Sequence, residues 1–101
     1  MLFSDPAREC AEAISTGLNV LYRLAHSSRD PDAAANAERI AALEGLAAAL
    51  ERAREPDIET DHRASPEQVA AVRSLANGLK TGQRPENVAS EADALYAALT
   101  A

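Results

Sequence analysis

Apolar residues recur every three or four positions along four stretches of the chain, which is the period of an amphipathic α-helix. No stretch alternates apolar and polar residues in the manner of a β-strand. The pattern therefore predicts an all-α fold of four helices. The apolar positions that share the four helix faces are Cys10, Ile14, Gly17, Leu18, Leu21 and Leu24; Ala33, Ala37, Ile40, Leu43, Leu46, Ala47 and Leu50; Val69, Val72, Leu75, Ala76 and Leu79; and Val88, Ala92, Leu95 and Leu99.

A proline stands at the start of each of these four stretches. Proline suits the first position of a helix, because its missing N–H has no intrahelical partner there and its φ is already set. Asp or Ser directly before proline can accept hydrogen bonds from the free N–H groups of the first turn, whereas Arg84 offers no such acceptor. Ser65 and Gln68 also have the spacing of a capping box. The four dipeptides are Asp5-Pro6, Asp30-Pro31, Ser65-Pro66 and Arg84-Pro85.

The predicted helices differ in length between the two halves of the chain. We expect Gly82 to end the third helix and Glu55-Pro56 to end the second. Short connections favour two antiparallel hairpins, a long one from helices 1 and 2 and a short one from helices 3 and 4, in an up-and-down four-helix bundle. The long pair would extend roughly 10 Å beyond the short pair and offer a surface for a dimer or a partner. The predicted helices span 6–27, 31–55, 66–81 and 85–100, within a single domain of residues 1–101.

Composition indicates a thin hydrophobic core. Hydrophobic residues make up 47% of the chain, but 24 of its 101 residues are alanine and aromatic residues account for only 3%. Alanine forms helices readily but contributes little apolar area. A domain of this kind gains stability by binding itself or a partner, so we expect a homo-oligomer, here a homodimer, or a complex with another protein.

The charge and the cysteine content exclude several classes of function. A net charge of −6 argues against nucleic-acid binding, which needs a basic patch. Cys10 is the single cysteine, so no internal disulfide is possible, and its helical spacing from Ile14 predicts a buried thiol. The chain has neither the features of a secretion signal at its start nor the ~20 consecutive apolar residues of a membrane span. We expect a cytoplasmic protein that binds no membrane; richness in alanine and arginine suggests a bacterial one.

His26 is the most prominent candidate for chemistry. The segment 26–31 partly resembles the H-box of sensor histidine kinases, with matches at His26, Arg29 and Pro31. The resemblance implies a phosphoacceptor histidine, and the related histidine-phosphotransfer domains are four-helix bundles of about this size. The sequence departs from the motif at Ala25 and at Ser27, where an acidic residue normally assists the chemistry. The alternative is that His26 and Arg29 are cations at a helix C-terminus, where they complement the helix dipole.

An acidic connection follows the second helix. Asp57, Asp61 and His62 are candidate ligands of a divalent metal, although their number is small for a site. The alternating carboxylates are similar to the start of an EF-hand loop, but His62 replaces the glycine at the sixth position and Gln68 the glutamate at the twelfth. The simpler interpretation is a solvated connection that holds no metal.

Four residues are candidates for contact with another protein. Ile58 is a branched apolar residue within the acidic connection, where it either closes the end of the bundle or, beside Glu59, docks onto a basic surface. Tyr22 and Tyr96 each adjoin a core leucine, so they lie at the edge of a helix face. Each tyrosine is either an ordinary boundary residue with its hydroxyl in water or part of an interface.

These observations together predict a protein without catalysis or cofactor of its own. Neither histidine has a Ser or Cys nucleophile in a recognisable frame, and no glycine-rich phosphate loop is present. We expect an acidic helical protein that acts by protein–protein contact, as an adaptor, an inhibitor, an immunity-type protein or a secretion accessory. The alternative is a phosphorelay protein that uses His26.

Overall fold

The computed structural model describes residues 6–26, 33–54 and 64–100. Within these ranges the chain forms four α-helices and one short 3₁₀ helix, and no β-strand. The predicted all-α fold is therefore confirmed. The α-helices are α1 (Pro6–His26), α2 (Ala33–Arg52), α3 (Pro66–Lys80) and α4 (Ala89–Thr100), and the 3₁₀ helix is Pro85–Asn87.

The helices pack side by side in alternating directions. Helix α1 contacts both α2 and α4, and α2 contacts α3, whereas α3 and α4 contact each other only sparsely. Glu9 near the start of α1 lies 4.0 Å from Arg52 at the end of α2, so these two helices are antiparallel. Oε2 of Glu51 in the last turn of α2 lies 2.6 Å from a guanidinium nitrogen of Arg73 in the middle of α3. The result is a compact helical bundle whose seam between α3 and α4 is more open than the other three.

Most of the buried side chains are those that the helical period singles out, and Ala49, Ala53 and Ala64 are buried in addition. Leu18, Ile40, Leu95 and Leu99 are partly buried against the core, and Ala37 is exposed. No polar or charged residue within the described ranges is buried. The buried apolar side chains in the predicted faces are Cys10, Ile14, Leu21, Leu24, Leu43, Leu46, Ala47, Leu50, Val69, Val72, Leu75, Ala76, Leu79, Val88 and Ala92.

Helices α1 and α2 approach each other closely at Gly17. A Cβ atom on Gly17 would overlap Cβ of Leu46 and would lie 2.9 Å from its Cγ. Leu46 is fully buried at this contact. The absence of a side chain at Gly17 therefore brings the two helices close together, and this glycine in mid-helix is explained by packing rather than by a turn.

Helix α3 has well-defined ends. The Gln68 N–H donates to Oγ of Ser65 at 3.1 Å, and the Ser65 N–H donates to Oε1 of Gln68 at 2.8 Å, which confirms the predicted capping box. At the other end the Gln83 N–H donates to the Gly78 carbonyl and the Gly82 N–H to the Leu79 carbonyl. This is the Schellman pattern, and Gly82 has the positive φ (107°) that such an ending requires.

Two helix boundaries differ from the prediction by three or more residues. Helix α2 ends at Arg52 and continues only as a turn through residues 53 and 54, so it stops before the predicted residue 55. Helix α4 begins at Ala89 rather than at residue 85. Because Arg84 provides no side-chain cap, the chain first forms the 3₁₀ turn, and Val88 inserts its side chain into the core before the α-helix starts.

In the described part of the chain, none of the helices combines the length and the apolar character needed to cross a membrane.

Candidate functional site

The exposed face formed by α1 and α4 carries the most distinctive group of side chains in the described structure. We call this group the α1–α4 surface. It consists of Leu18, Asn19, Tyr22 and His26 of α1 and Asp93 and Tyr96 of α4.

The spacing of these residues places them together. Leu18, Tyr22 and His26 follow one another at intervals of four, which aligns them along one stripe of a helix. On α4, Asp93 and Tyr96 are three residues apart, so they also share a stripe. Because α4 runs antiparallel to α1, His26 lies opposite Asp93 while Tyr22 lies opposite Tyr96.

Two rings contact Tyr22 at the centre of this surface. The ring centroids of Tyr22 and Tyr96 are 5.5 Å apart in an edge-to-face arrangement. The Tyr22 and His26 centroids are 4.6 Å apart, with the planes tilted by 51°. Aromatic pairs at such separations stabilise by about 0.5–1.5 kcal/mol beyond the burial of their area. Tyr22 is therefore the central ring, joined to one neighbour within its own helix and to another across the helix interface.

Tyr22 is half exposed although it is large and aromatic. Its exposed fraction is 49%, and no other large apolar side chain in the described ranges is exposed. Leu18 and Tyr96 beside it are partly buried. Tyr22 also lines a shallow groove with Ser15, Leu18, Asn19 and Tyr96. The groove thus combines Leu18 and the two tyrosines with the polar side chains of Ser15 and Asn19.

A histidine–carboxylate pair lies at one end of the surface. Nε2 of His26 is 3.8 Å from Oδ1 of Asp93, and the two side chains are 51% and 64% exposed. When the imidazole is protonated, this pair joins the end of α1 to the second turn of α4 by charge. With this exposure the pair contributes little to stability, since water screens it. Both groups therefore remain accessible from the solvent.

The structure brings together three of the residues that the sequence analysis identified. Tyr22, Tyr96 and His26 were separate candidates in sequence, yet they form one contiguous cluster. Asp93 was not identified, because one of two exposed acids on α4 gains significance only from its position opposite His26. Asp93 could have been identified by aligning the predicted faces of α1 and α4 in antiparallel order.

The other predicted candidates lie outside the described residues. These are the contact candidates Ile58 and Glu59 and the possible metal ligands Asp57, Asp61 and His62. Elsewhere, within residues 6–26, 33–54 and 64–100, no group of three or more His, Cys, Asp or Glu side chains is arranged to hold a metal ion.

Cys10 is confirmed as a buried thiol. Its side chain is 3% exposed and belongs to the apolar core, and it forms no disulfide. A thiol in such surroundings behaves as a small apolar side chain, so we assign it to packing rather than to the site.

A second groove separates α2 from α3. Glu44, Arg73, Asn77 and Lys80 line it together with Ala76. Arg73 is already engaged by Glu51 at 2.6 Å, and Glu44 brings a further carboxylate to the groove. The charges in this groove are mixed in sign, and its lining includes no aromatic side chain, unlike that of the groove on the α1–α4 surface.

Comparison of the chain with protein-family models, with curated proteins and with solved structures finds no match.

Proposed function

We propose that this chain acts by protein–protein contact through the α1–α4 surface, either with another protein or with itself. The observation that carries the proposal is the cluster centred on Tyr22, a half-exposed ring in contact with Tyr96 and His26. Aromatic side chains that combine a large apolar face with a polar edge are enriched at the centres of interfaces. The proposal includes no catalysis and no cofactor.

The thin core supports the same conclusion. The largest fully buried side chains are Leu, Ile and Val, and none is aromatic. Helix α4 contributes a single buried residue from within the helix, Ala92, and Leu95 and Leu99 are only partly buried. A partner that covers the outer face of α1 and α4 would bury further apolar area and stabilise the bundle. An adaptor, an inhibitor, an immunity-type protein or a secretion accessory would all work in this way.

The cellular setting forms part of the proposal. We infer that the protein is bacterial and acts in the cytoplasm. The support is the richness in alanine and arginine and the one cysteine, which remains a free thiol in the structure and suits a reducing compartment.

Site-specific photo-cross-linking tests the proposed surface. A benzophenone amino acid replaces Tyr22 in one variant and Ser74 on the exposed side of α3 in a matched control, and both are irradiated in cells that produce the protein. We expect a discrete covalent adduct at position 22, with the chain itself or with one other protein, and none at position 74. Equal yields at the two positions, or an adduct at position 74 alone, would contradict the proposal.

Phosphotransfer through His26 is the second candidate function. The observation in its favour is the Asp93 carboxylate, 3.8 Å from Nε2, because an acid beside the imidazole is what the H-box resemblance lacks at Ser27. The carboxylate could orient the ring and leave the other nitrogen to accept a phosphoryl group.

Intact-mass analysis distinguishes phosphotransfer from a purely structural histidine. The protein is incubated with acetyl phosphate and kept at neutral pH, since phosphohistidine is labile in acid. Phosphotransfer predicts a phosphoryl adduct that His26→Gln abolishes and the control His62→Gln retains. No adduct, or one that persists in His26→Gln, would remove this candidate.

A further inference from the structure

We propose that the occupant of the α1–α4 surface is a second copy of this chain. The two copies are related by a two-fold axis, and Arg23 of each copy contacts Tyr22 and Asp93 of the other. The inference rests on the proposed function of that surface and names its partner.

The α1–α4 surface has an exposed acid at one edge and is bordered by an exposed cation at the other. Arg23 follows Tyr22 on the exposed side of α1, four residues after Asn19, and within the described ranges it has no ion-pair partner. Asp93 projects from α4 at the other edge and is 64% exposed. A two-fold axis brings the same patch of both copies face to face, so a cationic edge meets an acidic edge twice. A patch with charge of one sign would repel its own copy.

Arginine is chemically suited to this position. A guanidinium group stacks on the face of a tyrosine ring and also pairs with a carboxylate in a planar, two-point arrangement. The half-exposed Tyr22 ring offers the first contact and Asp93 the second. Both lie within the same cluster, because Tyr22 contacts His26 and His26 faces Asp93.

The small area of the surface predicts a low affinity between the two copies. Helix α4 has 12 residues, and at 1.5 Å per residue it is about 18 Å long, so the shared face of α1 and α4 is small. Interfaces at the low end of the size range form weak, reversible complexes. We therefore expect a dimer in equilibrium with the monomer rather than a permanent one.

Sedimentation velocity of charge-reversed variants tests the pairing. The chain is measured at concentrations from about 10 μM to about 1 mM, a range that covers weak association. We expect the wild type to shift from monomer to dimer with concentration. Arg23→Asp and Asp93→Arg should each remain monomeric, because each places like charges opposite one another.

Mixing the two variants supplies the decisive comparison. In an equimolar mixture of Arg23→Asp and Asp93→Arg, position 23 of each protein faces a residue of opposite charge at position 93 of the other. A heterodimer should therefore form from two monomeric proteins. The double variant should dimerise by itself for the same reason. As a matched control, Glu91→Arg makes the same change of charge as Asp93→Arg on α4, and we expect it to dimerise like the wild type. Circular dichroism checks that every variant is folded.

Each contrary result has a defined meaning. A wild type that stays monomeric throughout the range, single variants that dimerise as well as the wild type, or a mixture that remains monomeric would each overturn the two-fold pairing. A monomeric chain that still forms a cross-linked adduct with a different protein at position 22 would overturn this inference alone. Absence of any adduct at position 22 would instead remove the proposed function.

Discussion

The close contact between α1 and α2 depends on the absence of a side chain at Gly17. Gly17 faces the buried Leu46 across the helix interface, with no room for a Cβ atom. Gly45 lies one residue before Leu46 on α2, yet a Cβ atom built there would meet nothing within 4 Å. The two glycines thus have opposite roles, and they form a matched pair for mutation.

Gly17→Ala should destabilise the protein. The added methyl group would overlap Leu46 Cβ, which is fixed to its helix, so α1 and α2 would have to move apart. Overpacking of this kind costs about 1–3 kcal/mol, more than alanine gains in helix propensity. Urea denaturation should show a lower midpoint with an unchanged slope. An unchanged or higher midpoint would mean that the two helices are not in such close contact.

Gly45→Ala should have the opposite effect. Alanine is favoured over glycine inside a helix by up to about 1 kcal/mol, and the open space at position 45 adds no steric cost. The same denaturation experiment should give a higher midpoint. A loss of stability comparable to that of Gly17→Ala would show that position 45 is packed in solution.

The ends of the helices show which local rules determine this fold. Ser65 and Gln68 form the capping box that their spacing predicts, and Gly82 ends α3 with a positive φ. The start of α4 was predicted less well, because proline at position 85 is compatible with a 3₁₀ turn as well as with an α-helix. Arg84 provides no side-chain cap, so the 3₁₀ turn forms first; the apolar pattern placed Val88 on the buried face but does not distinguish these two kinds of turn.

Ser65→Ala should weaken α3 measurably. It removes the hydroxyl that accepts from the Gln68 N–H and leaves that group without its cap. We expect a loss of about 1 kcal/mol. Ser74→Ala, in the exposed middle of the same helix, is the control and should change stability by less than about 0.5 kcal/mol. Similar losses in both variants would argue against the capping box in solution.

Helix α4 should be the least protected of the four helices in native-state hydrogen exchange. It is the shortest, has one buried residue within it, and contacts α1 extensively but α3 only sparsely. Elements with few buried contacts open at lower free energy than the core. Its most protected amides should exchange about tenfold or more faster than those of α1 and α2. Equal protection in all helices would indicate a single cooperative unit.

At the scale of the whole molecule, the sequence predicted the architecture better than the site. Helical periodicity and proline positions led to four helices, because both act over a few residues. The cluster of Tyr22, His26, Asp93 and Tyr96 depends on α4 packing against α1 with a particular register. That register is determined by the burial of side chains far apart in the chain, so the tyrosines could be proposed one by one but not as a group.

The proposed function makes the α1–α4 surface the place where this protein contacts its partner. The chain offers an intrinsic probe of that claim, since it contains two tyrosines and both lie on this surface. Fluorine NMR of protein labelled with 3-fluorotyrosine therefore reports on Tyr22 and Tyr96 alone, and Tyr22→Phe assigns the two signals.

The measurement compares dilute protein, concentrated protein and protein inside living cells. Contact at the surface predicts that both fluorotyrosine signals shift or broaden in the concentrated sample or in cells, and that the Tyr22 signal changes more because its ring is half exposed. The equimolar mixture of Arg23→Asp and Asp93→Arg should show the same shift or broadening of the signals. Each of these two variants alone in buffer should keep sharp signals. Two signals that remain the same in all three settings would contradict the claim.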